Sequence, residues 1–445
     1  MPAKDPNVKK IVLIGAGSAM FTQGLVADLI AAATGEGRLG RYRWDLCLVD
    51  IDEEALEVAR AMAEHVVNIQ NAEASISLAW STDRRDVLHG ADVVVSTIAV
   101  GKRRAWEADV FIPRKYGIFQ PVGDTAMPGG ISRAMRMIPA TVAIARDIAA
   151  LCPEALFINY ANPMTANCWA VHKATGVPVI GLCHGVNHIE GFMASQAGLD
   201  RRRTSSLAVG VNHLTWMTEF RHEGADAWPL VRAKADRTGE PFSWGLFDAY
   251  GAYPCVSDRH VTEFFPERFP EGRYYGRILG VDAFSFEDCI AGGDTIYARM
   301  GRQARGEEAF DDKQIIQRAE GEHEQLLEIL DAHWADSRRV FSMNVPNLGA
   351  VANLPADAVL EIPVAACAGS GGFRPLSVPD FPDILASIIA RKLTAIRLTV
   401  EAALKGDRLL FVEALLADGA VTYPLTAGRL ADELLAAHKE DLPQF

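Results

Sequence analysis

Apolar and polar positions follow two rhythms over the first 200 residues. Short continuous apolar runs occur at 9–14 (KKIVLI), 45–50 (DLCLVD), 91–100 (ADVVVSTIAV), 155–160 (ALFINY) and 177–182 (VPVIGL). Runs of that length, apolar without alternation, predict strands buried on both faces of a parallel sheet. Between them, GAGSAMFTQGLVADLIAAA (15–33), IDEEALEVARAMAEHVVNI (51–69) and ISRAMRMIPATVAIARDIAAL (131–151) carry the helical period, and the second has acidic residues in its first turn, where the helix dipole favours them. Strand alternating with helix predicts βαβ units and an α/β fold, a Rossmann-like doubly wound parallel sheet whose ligands gather at the carboxyl ends of the strands. After about residue 200 the rhythm breaks. Glycine, proline and aromatic residues crowd 240–280, a strand region is expected around 340–366, and helical stretches follow at 381–407 and 428–441.

Composition narrows the function classes. Hydrophobic residues make up 49% and charged residues 23% of the 445 positions, and no apolar run approaches the ~20 residues of a membrane span, so a soluble protein is expected. The formal net charge of -13 gives no electrostatic reason to bind nucleic acid or an anionic membrane. The polar start lacks the layout of a secretion signal, and the seven cysteines are an odd count without paired spacing. Reduced thiols and a cytoplasmic location are therefore expected.

The first candidate chemistry lies in Gly15-Ala16-Gly17-Ser18-Ala19-Met20, between the first strand and its helix. Two glycines allow a tight turn and a close approach to a pyrophosphate, whose charge the helix N-terminus favours. Met20 stands where a third glycine is usual, and Asp50 ends the second strand 35 residues after Gly15. An acidic residue there accepts hydrogen bonds from a ribose and repels a 2'-phosphate, which favours NAD over NADP. Residues 1–185 thus read as an NAD-binding domain and 186–445 as an α+β domain for substrate, metal and oligomerisation.

A second group follows the last apolar run. GLCHGVNH (181–188) contains Cys183, His184 and His188, and VGVNHLTWM (209–217) contains His213. Thiolate and imidazole are metal ligands, but one of each at this separation matches no compact zinc pattern, and a buried cysteine beside a satisfied histidine is the commoner arrangement. FINYANPM supplies Asn159 and Asn162, whose alternative role is a helix cap. GAYPCVSDRHVTEFFP packs Tyr253, Asp258, Arg259, His260 and Glu263 into eleven positions, as either an active-site loop or a solvated loop with an internal ion pair.

Taken together, KIVLIGAGSAMF, LVDIDEEAL, FQPVGDTAMPGGISRAMRMIP, NYANPM, GLCHGVNH, GVNHLTWM and VANLPADAVLEIP resemble glycoside hydrolase family 4, nearly end to end and in the family's order. The CHGV following the apolar run resembles the α-galacturonidase branch. The resemblance implies a lactate/malate dehydrogenase-like fold and NAD held by Gly15, Gly17, Ser18, Met20, Phe21, Asp50 and Thr97. It implies a divalent metal, usually manganese, on Cys183 and His213, completed by the sugar's 2- and 3-hydroxyls, although ligand softness alone would favour zinc. In such a reaction NAD takes hydride from C3, the C2 proton becomes removable, the C1 group leaves by elimination, and water addition and hydride return complete a hydrolysis. His184 would be the general acid, and Asp258 or, next, Tyr253 the base. Asn162 and His260 would contact the sugar, and Arg259, with Arg133 in reserve, would take the carboxylate of a uronate. A sugar or oligosaccharide substrate and a homodimer or homotetramer are expected. The competing readings are another family 4 specificity (α-glucosidase, α-galactosidase or α-glucuronidase), a net hydroxy acid dehydrogenase and a non-catalytic NAD-binding regulator.

Overall fold

The structure is a computed structural model that describes residues 5–18, 21–313, 324–369 and 372–445. Six strands form its parallel half: β1 (Val8–Ile14), β2 (Arg43–Val49), β3 (Ile76–Ser81), β4 (Val93–Ser96), β5 (Leu156–Asn159) and β6 (Val179–Gly181). They pair side by side in the order 3-2-1-4-5-6, the doubly wound arrangement of dinucleotide-binding folds. The expected strands fall where the apolar runs lie. The run at 91–100 pairs only over Val93–Ser96, because the chain must leave the sheet there to reach the ligand edge. β3 escaped the apolar signal because only one of its six residues is buried, as befits a sheet edge.

The second half adds β7 (Thr204–Val211), β8 (Leu214–His222), β9 (Ala225–Asp226), β10 (Tyr253–Pro254), β11 (Arg273–Tyr274), β12 (Arg277–Ile278), β13 (Val340–Pro346), β14 (Val359–Ala366) and β15 (Phe373–Pro375). The expected strand region at 340–366 is two antiparallel strands, because Asn347 turns the chain by donating to the carbonyls of Val351, Leu354 and Pro355, each at 3.1 Å. The sheet does not stop at β6. It continues antiparallel through β13, β14, β7, β8 and β10, so both halves share one slab of 13 strands, with β11 and β12 apart. The joins are narrow: Gly181 pairs Asn344, and Glu361 pairs Gly210.

Those joins fall on one row. Ser96, Asn159, Gly181, Asn344, Glu361, Gly210 and Thr215 are successive cross-strand partners, a polar line through an otherwise apolar slab at the carboxyl ends of the parallel strands. A buried carboxyl costs free energy unless donors meet it. Glu361 faces Thr215, Asn344, Asn212 and Ser342, and burial still pushes it up to about 7.

Helices cover both faces. The helix at Met127–Leu151 is fixed by a buried triad in which Arg136 Nη1 and Nη2 meet Asp109 Oδ1 and Oδ2 at 3.0 and 2.5 Å, and His438 Nε2 meets Oδ1 at 2.9 Å. It joins the helix Lys102–Arg114 and the chain's end to the element that starts beside the functional edge. Among the described residues, no helix is long and apolar enough to cross a membrane.

Candidate functional site

The glycine turn sits at the switch point between β1 and β4. Gly15 has φ +90°, and a Cβ there would lie 2.8 Å from the Ile98 nitrogen, so only glycine fits. The N–H groups of Gly15 and Ala16 donate to the Val49 carbonyl at 2.8 and 3.0 Å, and Thr97 Oγ1 donates to the Gly15 carbonyl at 2.9 Å. Asp50 accepts the Gly17 N–H on Oδ2 at 2.8 Å and the Asp52 N–H on Oδ1 at 3.0 Å, which leaves each oxygen a further lone pair for a ribose hydroxyl. The Ser18 N–H donates to the Gly15 carbonyl at 3.1 Å. Phe21 opens the helix Thr22–Thr34, and its ring lies 5.4 Å from Tyr160, which in turn stacks on His184 at 6.2 Å. Aromatic contact therefore runs from the turn to the segment after β6. Met20 lies outside the described residues.

Across the edge, three metal-capable side chains converge. Asp124 stands on the loop between the helices Lys102–Arg114 and Met127–Leu151, His213 in the two-residue turn between β7 and β8, and His260 in the short helix Asp258–Val261. One ligand atom from each lies within 4.8 Å of the others. His213 holds φ +65°, and its ring centroid is 4.3 Å from that of His260. Thr125 Oγ1 donates to Asp124 Oδ1 at 2.6 Å and lies 3.0 Å from His213 Nδ1. Asn162 Nδ2 donates to Asp124 Oδ2 at 3.0 Å, and Arg133 Nε donates to the Asn162 carbonyl at 3.1 Å.

The charges settle each protonation state. Burial raises the Asp124 carboxyl, but His213 and His260 in their protonated forms, with Arg133, outweigh it and hold it below the usual carboxylate range. Burial lowers His213, partly offset by Asp124, and burial with His213 beside it pushes His260 down to about 3. Both imidazoles are neutral at pH 7, with lone pairs to offer. Cys183 is not one of this trio. Burial pushes its thiol up to about 12, with the Glu361 carboxylate next in effect, and Sγ accepts the Gly185 N–H at 3.4 Å. His184 immediately precedes the helix Gly185–Ala197, with no side-chain capping bond.

Two expected residues are engaged elsewhere. Asp258 is fully buried and accepts from the Phe242 N–H (2.8 Å), the Ser243 N–H (2.7 Å), Ser243 Oγ (2.5 Å) and Tyr274 OH (2.6 Å). Four donors fill a carboxylate, and this one anchors the first turn of the helix Pro241–Tyr250. Tyr253 is equally buried, paired with Met217 and packed on Trp244 and Phe247 with centroids at 4.9 and 6.0 Å. Neither surrounding suits a base that must reach a substrate carbon. Arg259 is partly committed too, with Nε donating to the Pro121 carbonyl at 3.4 Å and Nη2 reaching Cys289 Sγ at 3.3 Å.

The edge therefore gathers Asn162, Arg133, His213 and His260 with Asp124 and Thr125, which sequence reasoning did not single out. Asp124 lies inside a quoted motif, but nothing in its spacing ties it to residues 213 and 260. Glu263 also gains a purpose. Its Oε1 accepts the Val122 and Gly123 N–H groups, both at 2.8 Å, and so fixes the loop before Asp124, while burial pushes the carboxyl up to about 8.

Such an edge has the donor types to bind a dinucleotide on one side and a cation on the other. The chain is 30% identical to an alpha-galactosidase of Rhizobium meliloti, over 98% of this chain and 89% of that protein. It is 28% identical to an alpha-galacturonidase of Bacillus subtilis, over 92% of each. A 6-phospho-beta glucosidase from Thermotoga maritima, solved with manganese, NAD+ and glucose-6-phosphate, shares the fold at TM-score 0.77 and 20% identity, over 97% of this chain and 98% of that one. A malate dehydrogenase from Cryptosporidium parvum matches at TM-score 0.53 and 15% identity, over 89% of this chain and 98% of that one, which fits the expected dehydrogenase-like architecture. The model of the family 4 glycosyl hydrolases matches residues 10–199, and that of their C-terminal domain matches residues 208–421. The chain belongs to family 4 of the glycosyl hydrolases.

Proposed function

We propose that this chain hydrolyses α-galacturonides with the help of NAD and a divalent metal, manganese foremost. The observation that carries the reading is the pairing, on one sheet edge, of a glycine turn whose Asp50 retains acceptor capacity with a half-buried cluster of two imidazoles and a carboxylate. The donor types fit both groups: the turn suits a pyrophosphate and ribose, and the cluster offers nitrogen and oxygen ligands to a divalent cation. Bound there, NAD supplies reversible oxidation of the sugar, and the metal supplies Lewis-acid polarisation.

The chain's own residues do the rest. Asn162, hydrogen-bonded to Asp124, orients sugar hydroxyls. His184 delivers the proton to the departing oxygen. Cys183 and His213 border the cation. Arg133 supports the uronate: among the described residues only its Nε is hydrogen-bonded, which leaves both outer nitrogens for a planar carboxylate. In this reading Arg133 replaces Arg259 as the first carboxylate ligand, and Asp258 and Tyr253 leave the reacting set. An oligomer in the cytoplasm remains part of the proposal.

The test is a panel of nitrophenyl glycosides (neutral, uronic and 6-phosphorylated), assayed with NAD and manganese. Galacturonate release should need both additives and bring solvent deuterium to C2 of the product. Hydrolysis indifferent to NAD would reject the reading. NADH accumulating in stoichiometric amounts with a 2-hydroxy acid would turn the chain into a net dehydrogenase. In Cys183→Ser, metal-dependent turnover should be lost while NAD binding persists.

A further inference from the structure

We infer that the C-terminal tail of this chain positions the dinucleotide: His438, acting through Asp109 and Arg136, fixes the loop 97–101 that walls the glycine turn. The inference rests on the NAD-dependent reading above. It gives a task to a segment beyond residue 421, where the match to the family's C-terminal domain ends.

The loop comes first. Ligands of a doubly wound sheet lie at the switch point, here between the turn after β1 and the loop after β4. The two touch without an intervening side chain. The Thr97 N–H donates to the Ile14 carbonyl at 2.8 Å, Thr97 Oγ1 donates to the Gly15 carbonyl at 2.9 Å, and the Ile98 nitrogen lies 2.8 Å from where a Cβ on Gly15 would stand. Ile98 is half-buried and Ala99 exposed, so the loop keeps an open face. Any shift of this loop moves a wall of the cofactor crevice.

The loop is held from behind. Arg136 Nε donates to the Val100 carbonyl at 3.1 Å. The same guanidinium gives both outer nitrogens to Asp109, whose Oδ1 also accepts from His438 Nε2 at 2.9 Å. All three side chains are buried. A planar fork fixed at two points has one direction left for its Nε, so the imidazole at 438 helps set where the Val100 carbonyl sits. Asp441 closes against Gly101, where φ is +75° and a Cβ would lie 2.7 Å from Asp441 Oδ2. Gln444 Nε2 donates to the Met135 carbonyl at 2.6 Å, next to Arg136. The tail therefore touches both the loop and the helix that carries the arginine.

In the proposed reaction the hydride taken from the sugar returns to it, so the dinucleotide must stay seated through a turnover. A rigid wall serves that need. His438 and Arg136 are positioning residues, since they act through the Val100 carbonyl.

The experiment titrates the full chain with NADH, without metal or sugar, following fluorescence enhancement well below the unfolding temperature. His438→Leu fills the space without a donor and should raise the NADH dissociation constant about 3–30-fold, whereas His438→Gln keeps a donor and should stay within about twofold of wild type. Arg136→Lys should weaken NADH binding too, because a point charge cannot meet Asp109 and the Val100 carbonyl together. Hydrogen exchange should quicken at the amides of 97–102 in His438→Leu. Asp441→Ala, at the half-buried end of the tail, should change affinity in the same direction and carries the test if the buried variants do not fold. Unchanged NADH affinity in the variants that fold, with only the unfolding temperature lowered, is what a merely structural role gives and overturns the inference. So does a loss that His438→Gln shares in full. A wild type that binds no NADH overturns the NAD-dependent reading itself.

Discussion

Single residues set the sharpest tests. Gly15 cannot accept a side chain, because its φ is +90° and a Cβ would press on the Ile98 nitrogen at 2.8 Å. Gly15→Ala should abolish NAD binding, read as loss of NADH fluorescence enhancement, and should also lower the unfolding temperature. Thr125 Oγ1 bridges Asp124 Oδ1 and His213 Nδ1, at 2.6 and 3.0 Å. Thr125→Val should cost manganese affinity by about 10–100-fold, measured by titrating the protein with manganese chloride, while NADH binding stays put. The two residues also differ in how far the sequence revealed them. Gly15 and Gly17 act on neighbours in a strand–turn–helix, so local pattern was enough. Asp124, His213 and His260 come from three distant segments, and only the folded chain counts them together. Asp258 misled for the converse reason: its neighbours Arg259, His260 and Glu263 looked like one site, but the chain turns there, and the carboxylate points at the backbone of residues 242 and 243.

At the scale of elements, β1, β2, β4, β5 and β6 were legible because burial on both faces forces continuous apolar runs. β7 and β8 were not, since a long hairpin whose outer ends are exposed shows neither continuity nor clean alternation. The helix Met127–Leu151 extends four residues before the expected start at Ile131, through Pro128 and two glycines that its pattern had hidden. Its lock is the Asp109, Arg136 and His438 triad. Removing the carboxylate strands the buried charge of Arg136, so Asp109→Ala should cost about 3–5 kcal/mol of unfolding free energy in denaturant titration. The same change should loosen the Asp124 loop that leads into this helix.

Over the whole molecule, buried acids shape the response to pH. Burial pushes Glu263 to about 8 and Glu361 and Glu240 to about 7, above the ~4.3 of an unfolded glutamate. Such a group binds a proton in the folded chain that the unfolded chain has lost, so its stabilisation is full below ~4.3 and drains as pH rises through the folded value. His213 and His260, held below the usual ~6.5, act in the opposite sense, but their effect is complete by that pH. Between about 6.5 and 8 the glutamates act alone. The unfolding temperature of the metal-free protein should therefore fall across that interval, and Glu263→Gln should flatten the fall; an unchanged slope in the variant would show that Glu263 is already ionised when folded.

One consequence concerns how a sugar gets in. Backbone pairing crosses from β6 to β13 and from β14 to β7, so the regions matched by the two family models are planks of one floor. Opening them like a clamshell would tear hydrogen bonds from the middle of that floor. Traffic must therefore pass over its rim, through the segments around 119–126 and 240–274. Glu263 and Asp258 are the rivets there, each pinning backbone amides with a buried carboxylate. Entry and exit then become a matter of loosening a rivet.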